Sequence, residues 1–247
     1  GGALTMAHGL PDYGLTSSLT TIYPLTDLGE LAARLGSIVT FDRRGDVVLL
    51  DDLENGDARW SLNAGAAPAT RSLSVAECRS GAVSEHIVET GAPSIFSSIY
   101  LTLPIRVLVR YGLEFSFQPA AGVDRIRFRL ALHDGSKSID LAVIADAVTD
   151  QLYYVDSTGA EVSFATGIGM WQGPANWHTA KLVVDAANGQ YVRFMLNSEE
   201  WAVPAVQGWD LGAVTDRILG IYPSYYKTAG VDSDLYIDDI IVTQNEP

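Results

Sequence analysis

The sequence predicts an all-β fold of two antiparallel sheets packed face to face. Three observations carry that prediction. Short apolar runs recur between turn signals from residue 46 to the end. The segment Arg125-Ile126-Arg127-Phe128-Arg129-Leu130 alternates charge and apolar bulk, the period of a strand with one face on a core. Two acidic patches, Asp51-Asp52-Leu53-Glu54-Asn55-Gly56 and Ile237-Asp238-Asp239-Ile240, stand near the start and the end of this region. First and last strands of an antiparallel sandwich often lie side by side, so these carboxylates are expected to meet.

Residues 1–25 are poor in charge, rich in Gly, Ser, Thr and Pro, and show no sustained period, which marks an arm rather than a core segment. A short helix follows. Asp27 caps it, Glu30 completes the box, Leu28, Leu31, Ala32 and Leu35 share one face, and Gly36 ends it. Ile38–Phe41 and Val47–Leu50 then flank Asp42-Arg43-Arg44-Gly45-Asp46 as a hairpin. The expected division is 1–45 for arm, helix and first hairpin strand, and 46–247 for the sandwich. Expected strands are Ser84–Glu89, Phe96–Leu103, Leu113–Phe117, Arg125–Leu132, Ile139–Ala145, Leu152–Asp156, Trp177–Asp185, Tyr191–Leu196, Arg217–Tyr222 and Leu235–Thr243. Asp134-Gly135, Ser157-Thr158-Gly159 and Ala187-Asn188-Gly189 supply turns between them.

Of the 247 residues, 47% are hydrophobic and 19% charged, ample for a buried core. The net charge of −14 argues against a nucleic-acid partner, which needs a basic face. No apolar run approaches the ~20 residues of a membrane span, so no membrane insertion is expected. No signal-peptide pattern opens the chain. The single cysteine, Cys78, excludes an intramolecular disulfide and a cysteine zinc cluster, and is expected to be a buried inert thiol.

Several stretches resemble jelly-roll carbohydrate-binding modules. Asp51-Asp52-Leu53-Glu54-Asn55-Gly56 with Trp60 is similar to their "D-F-E-x-G…W" opening, with Leu53 in the aromatic position. Arg79-Ser80-Gly81-Ala82-Val83-Ser84 resembles their "h-S-G-x-x-S" entry, and Tyr236-Ile237-Asp238-Asp239-Ile240 their "h-h-I-D-D-h" close. Asn176-Trp177-His178-Thr179-Ala180-Lys181-Leu182-Val183-Val184-Asp185 is similar to a strand of concanavalin A-like and laminin-G-like domains. The resemblance spans roughly residues 46–243 and implies a two-sheet antiparallel jelly-roll sandwich preceded by the arm. It also implies a structural calcium ion bridging Glu54 and Asp239, with Asp52 and Asp238 as neighbours. An arm and helix before a jelly roll resembles phage capsid and tail proteins in architecture alone.

Exposed aromatic rings would stack sugars. Trp171, in a turn-rich loop, with Tyr225 and Tyr226, are the candidates; filling a core or a subunit interface is the competing reading. The stripe Arg125, Arg127 and Arg129 suits an anionic partner, but Asp140 and Asp146 stand ready to pair with it. No catalytic residue emerges. The E-x-D-x-x-E of laminarinase-type relatives is absent, as are G-x-S-x-G, H-E-x-x-H, P-loop and dinucleotide fingerprints. Ordering roughly 25 arm residues costs about 1–2 kcal/mol each. Nine large apolar side chains barely offset that, so the arm is expected to dock on a neighbouring subunit by strand addition. Tyr13, Leu15 and Tyr23 would make that contact, with Leu28, Leu31 and Leu35 at its root. The function expected from these readings is a non-catalytic structural or interaction module of a homo-oligomeric extracellular assembly, most specifically a virion component. The alternatives are a carbohydrate-binding module or lectin taking a glycan, and a glycoside hydrolase or lyase.

Overall fold

The computed structural model describes residues 42, 44–64, 69–90, 96–120, 122–227 and 232–247. They form β1 (Asp46–Asp51), β2 (Ser61–Ala64), β3 (Ala69–Ser74), β4 (Ser84–Glu89), β5 (Ser97–Pro104), β6 (Arg110–Pro119), β7 (Val123–Asp134) and β8 (Lys137–Asp146). Then come β9 (Gln151–Val155), β10 (Glu161–Thr166), β11 (His178–Asp185), β12 (Gln190–Leu196), β13 (Glu199–Ala202), β14 (Trp209–Ala213), β15 (Arg217–Lys227) and β16 (Ser233–Gln244). No helix occurs among the described residues, so none is long and apolar enough to cross a membrane. The expected helix with Leu28, Leu31 and Leu35, and the arm residues Tyr13, Leu15 and Tyr23, lie outside the described residues.

Two antiparallel sheets pack face to face. The first runs β13-β12-β11-β6-β16-β4-β3, with β1 also on β16. The second runs β10-β9-β8-β7-β15-β5-β2, with β14 also on β8. Alternation along each strand sends one set of side chains between the sheets. Phe115 and Phe117 of β6 meet Phe128 of β7 with ring centroids 4.5 and 5.6 Å away, and Phe194 of β12 approaches the same ring at 5.0 Å. All four are fully buried.

The first and last strands pair as expected, Asp46 opposite Gln244 and Asp51 opposite Ile240. β16 also pairs with β4 through Ser233–Ile237, and its register against β6 breaks between Asp238 and Ile241. Asp239 sits in that break with φ +50°. Just ahead of β1 the chain touches the outer face of the first sheet. Lys181 Nζ, which is fully buried, lies 3.1 Å from Asp42 Oδ2 and 2.7 Å from Glu246 Oε1, and donates to Arg44 O at 3.1 Å. Arg193 pairs with Glu246 and lies 3.4 Å from Asp42. Burial pushes the Asp42 carboxyl up, but Arg44 and Lys181 outweigh that and hold it at about 2.

Candidate functional site

The outer face of the second sheet gathers the side chains best suited to chemistry. β7 sends Ile126, Phe128, Leu130 and Leu132 into the core, so Arg125, Arg127 and Arg129 stand on the opposite face. Cross-strand register sets their neighbours. Tyr222 of β15 is opposite Arg129, Ser224 is opposite Arg127, and Tyr226 is opposite Arg125. On the far side of β15, Ser224 pairs with Ser98 of β5, and Ser98 with Asn63 of β2. Tyr100 of β5 stacks on Tyr222 with ring centroids 5.6 Å apart and planes 14° from parallel. The guanidinium of Arg129 lies over the Tyr222 ring, 4.4 Å from its centroid. Arg129, Tyr222 and Tyr100 therefore form one row across three strands. Gly220 permits this row, because a Cβ there would come within 2.6 Å of the Tyr222 ring and 3.3 Å of Ala131 Cβ.

The arginine stripe is paired as the sequence suggested. Asp140, 2% exposed, accepts from Arg127 Nη2 at 2.9 Å and from Arg129 Nε at 2.7 Å. Arg125 lies 3.1 Å from Asp146 and pairs with Glu161, and its guanidinium is flanked by Tyr153 and Tyr226 at 5.4 and 5.3 Å. Trp209 of β14 is opposite Asp140 and 40% exposed, with its ring against Gly159, which a Cβ would crowd at 3.0 Å. Ser98 Oγ is buried beside this row and has no partner among the described residues. Aromatic rings and guanidinium donors on one sheet face are elements that contact and hydrogen-bond a sugar ring, whereas Ser98 and Ser224 are fully buried.

The three aromatic residues proposed from sequence are not brought together. Trp171 is 72% exposed in the loop before β11, with its backbone N–H donating to His178 Nε2 at 3.2 Å. Tyr226 is half-buried on the outer face against Arg125. Tyr225 is a correction: it is fully buried and points into the core, because β15 runs on to Lys227 and successive residues of a strand face opposite ways. Tyr100, Tyr222 and Trp209 were not singled out as ligand contacts. The signal for them was the arginine alternation on β7, since whatever pairs beside that stripe shares its face.

The carboxylate bracket converges on the turn at residues 79–83. Asp51 takes the Trp60 indole N–H at 3.0 Å and the Leu53 amide at 3.0 Å, which accounts for the opening motif. Glu54 Oε1 accepts from the amides of Ala82 at 2.6 Å and Val83 at 3.0 Å. Asp238 Oδ2 accepts from the amides of Arg79 at 2.8 Å and Ser80 at 3.1 Å, and Asp239 Oδ1 from Ser80 Oγ at 2.6 Å. Asp52 Oδ1 takes the Glu54 amide at 3.2 Å. Burial and the neighbouring Asp239 push the Asp238 carboxyl up to about 7, and burial raises Asp239 as well. Asp239 Oδ2 is buried and accepts no hydrogen bond of ordinary geometry among the described residues, although the Ser116 hydroxyl is near enough to lower the Asp239 carboxyl. Calcium takes six to eight oxygens. Glu54, Asp238 and Asp239 each spend an oxygen on N–H or O–H donors, and no three carboxylate, imidazole or thiol side chains among the described residues gather round one point. The bracket as arranged is a hydrogen-bonded clasp and does not fit a calcium ion. Cys78, beside it, is half-buried rather than buried; burial and the carboxylates of Asp238, Glu54 and Glu77 raise its thiol, which disfavours the thiolate.

No protein-family model matches the chain. No curated protein matches it either. Solved structures do. An endo-β-1,4-glucuronan lyase from the fungus Trichoderma reesei is similar at a TM-score of 0.52 and 11% identity, covering 81% of this chain and 96% of that one. A carbohydrate esterase from the Shiga toxin-encoding bacteriophage phi24B is similar at 0.52 and 15% identity, covering 82% and 100%. An alginate lyase from Chlorella virus is similar at 0.52 and 8% identity, covering 81% and 100%. These likenesses correct the expectation of a non-catalytic structural virion component, since they run to carbohydrate-active proteins and favour the alternatives. At such identities what they establish is the fold: this chain is an all-β sandwich of two antiparallel sheets, similar to jelly-roll and concanavalin-like folds.

Proposed function

We propose that the chain binds carbohydrate through the outer face of the second sheet, in the manner of a carbohydrate-binding module or lectin. The observation that carries this reading is the stacked row Arg129–Tyr222–Tyr100, with the Tyr222 ring against Gly220 and exposed Trp209 on the same face. The three similar structures, each named for a carbohydrate substrate, support it. A glycan array followed by calorimetry on the best hit tests it. Tyr222→Ala and Trp209→Ala are each expected to weaken binding about tenfold, the size of about 1.4 kcal/mol. Trp171→Ala is expected to leave binding unchanged. Loss of binding in Trp171→Ala with no change in Tyr222→Ala would move the site to the loop before β11.

A lyase reading has one observation in its favour. His133 lies on the same strand as Arg129, two outward positions further on, with Nδ1 3.0 Å from both carboxylate oxygens of Asp216. Such a contact orients an imidazole and leaves Nε2 for a substrate proton. Chain shortening of a bound glycan that disappears in His133→Ala would establish that reading over simple binding.

A further inference from the structure

We propose that the glycan taken by this face is acidic, and that the carboxylate of a uronate ring docks on Arg129 beside Tyr222. This inference rests on the glycan-binding reading above. Its warrant is the local charge. Arg127 and Arg129 share a single buried carboxylate, Asp140, and each spends one N–H on it. A guanidinium carries five N–H groups. Among the described residues the trio therefore keeps one positive charge and unspent donors, on a chain whose net charge is −14. Arg127 is the more deeply buried of the two, with side-chain exposure of 9% against 15% for Arg129. Arg127 acts as the support and Arg129 as the contact.

The surroundings fit a sugar acid better than a bare anion. Gly220 and Ala131 are cross-strand partners beside the Tyr222–Arg129 pair, and the Tyr222 ring leans over Gly220. A pyranose seated against the outer edge of that ring would meet Arg129 beside it. Its planar carboxylate matches the parallel N–H groups of a guanidinium edge. Toward the start of β7 the balance reverses, because Arg125 is outnumbered by Asp146 and Glu161. The face is one cationic subsite bounded by an acidic end, not a basic track, so it selects a carboxylate at one position.

Calorimetry on the full chain with an oligouronide and with the same oligosaccharide after chemical reduction of its carboxyl groups tests the inference. The oligouronide is expected to bind at least about tenfold tighter than its reduced form. Arg129→Lys, which keeps the charge but loses the planar fork, is expected to close most of that gap. Melting curves establish that the variant folds, and the two-ligand comparison on the unaltered chain stands without it. Equal affinity for both sugars, or preference for the reduced one, overturns the acidic inference and leaves the glycan-binding face intact. If neither sugar binds and a broad glycan array is also blank, the glycan-binding reading falls, and this inference with it.

Discussion

Asp238 shows how burial turns a motif residue into a pH sensor of the fold. Its folded carboxyl holds a proton up to about pH 7, through burial first and then the adjacent Asp239. An unfolded aspartate loses its proton near 3.9. Between those values the folded chain binds more protons than the unfolded one, so stability falls as pH rises through that window. Glu85, pushed up to about 7 by burial inside the sandwich, acts in the same direction. Melting temperature is therefore expected to drop between about pH 5 and pH 8, and Asp238→Asn to flatten the slope. A melting temperature that climbs steadily over this range would contradict the assignment. The Asp-Asp pair was legible in the sequence, but its partners were not. Two consecutive strand residues should face opposite ways, and only the register break with φ +50° at Asp239 lets both stay buried beside one turn.

At the scale of elements, every strand the sequence did not foresee lies at a sheet edge. β2, β3, β10 and β13 end their sheets, and β14 flanks β8 beyond the main path. An edge strand is covered on fewer sides, so its residues need not alternate; β14 reads Trp-Asp-Leu-Gly-Ala with all five positions exposed. Central strands are constrained on both faces and both edges, and β4 and β7 were legible from alternation and apolar content. The two ends of the described chain are tied by charge. Glu246 holds both Lys181 and Arg193 on the outer face of the first sheet, where Lys181 has no exposure to water. Removing a partner from a buried ion pair strands the remaining charge. Glu246→Ala is expected to cost about 3 kcal/mol in denaturant unfolding, offset in part by Asp42. A loss within about 0.5 kcal/mol, the range of ordinary surface substitutions, would show that water or Asp42 already satisfies Lys181.

For the molecule as a whole, the clasp and the face are separate features on different sheets. The clasp joins β16 and the chain after β1 to the 79–83 turn through amide donors, so excess chelator is expected to leave the melting temperature unchanged. A chelator-induced fall would show that a cation adds at Asp239 Oδ2 and stabilises by binding the folded state alone. By itself the sequence determined the fold class, the pairing of first and last strands and the position of the acidic bracket. The first rests on local period, and the other two on short motifs at either end of the region together with the tendency of first and last sandwich strands to pair. Only the tertiary structure decided the candidate face. Tyr100, Arg129, Asp140 and Tyr222 come from four strands, and their meeting depends on register and on strand order β8-β7-β15-β5, which no local pattern encodes. It also decided the split between Tyr225 and Tyr226. Where a strand ends fixes which of two adjacent rings reaches the core, and β15 ends five residues later than its apolar run suggests.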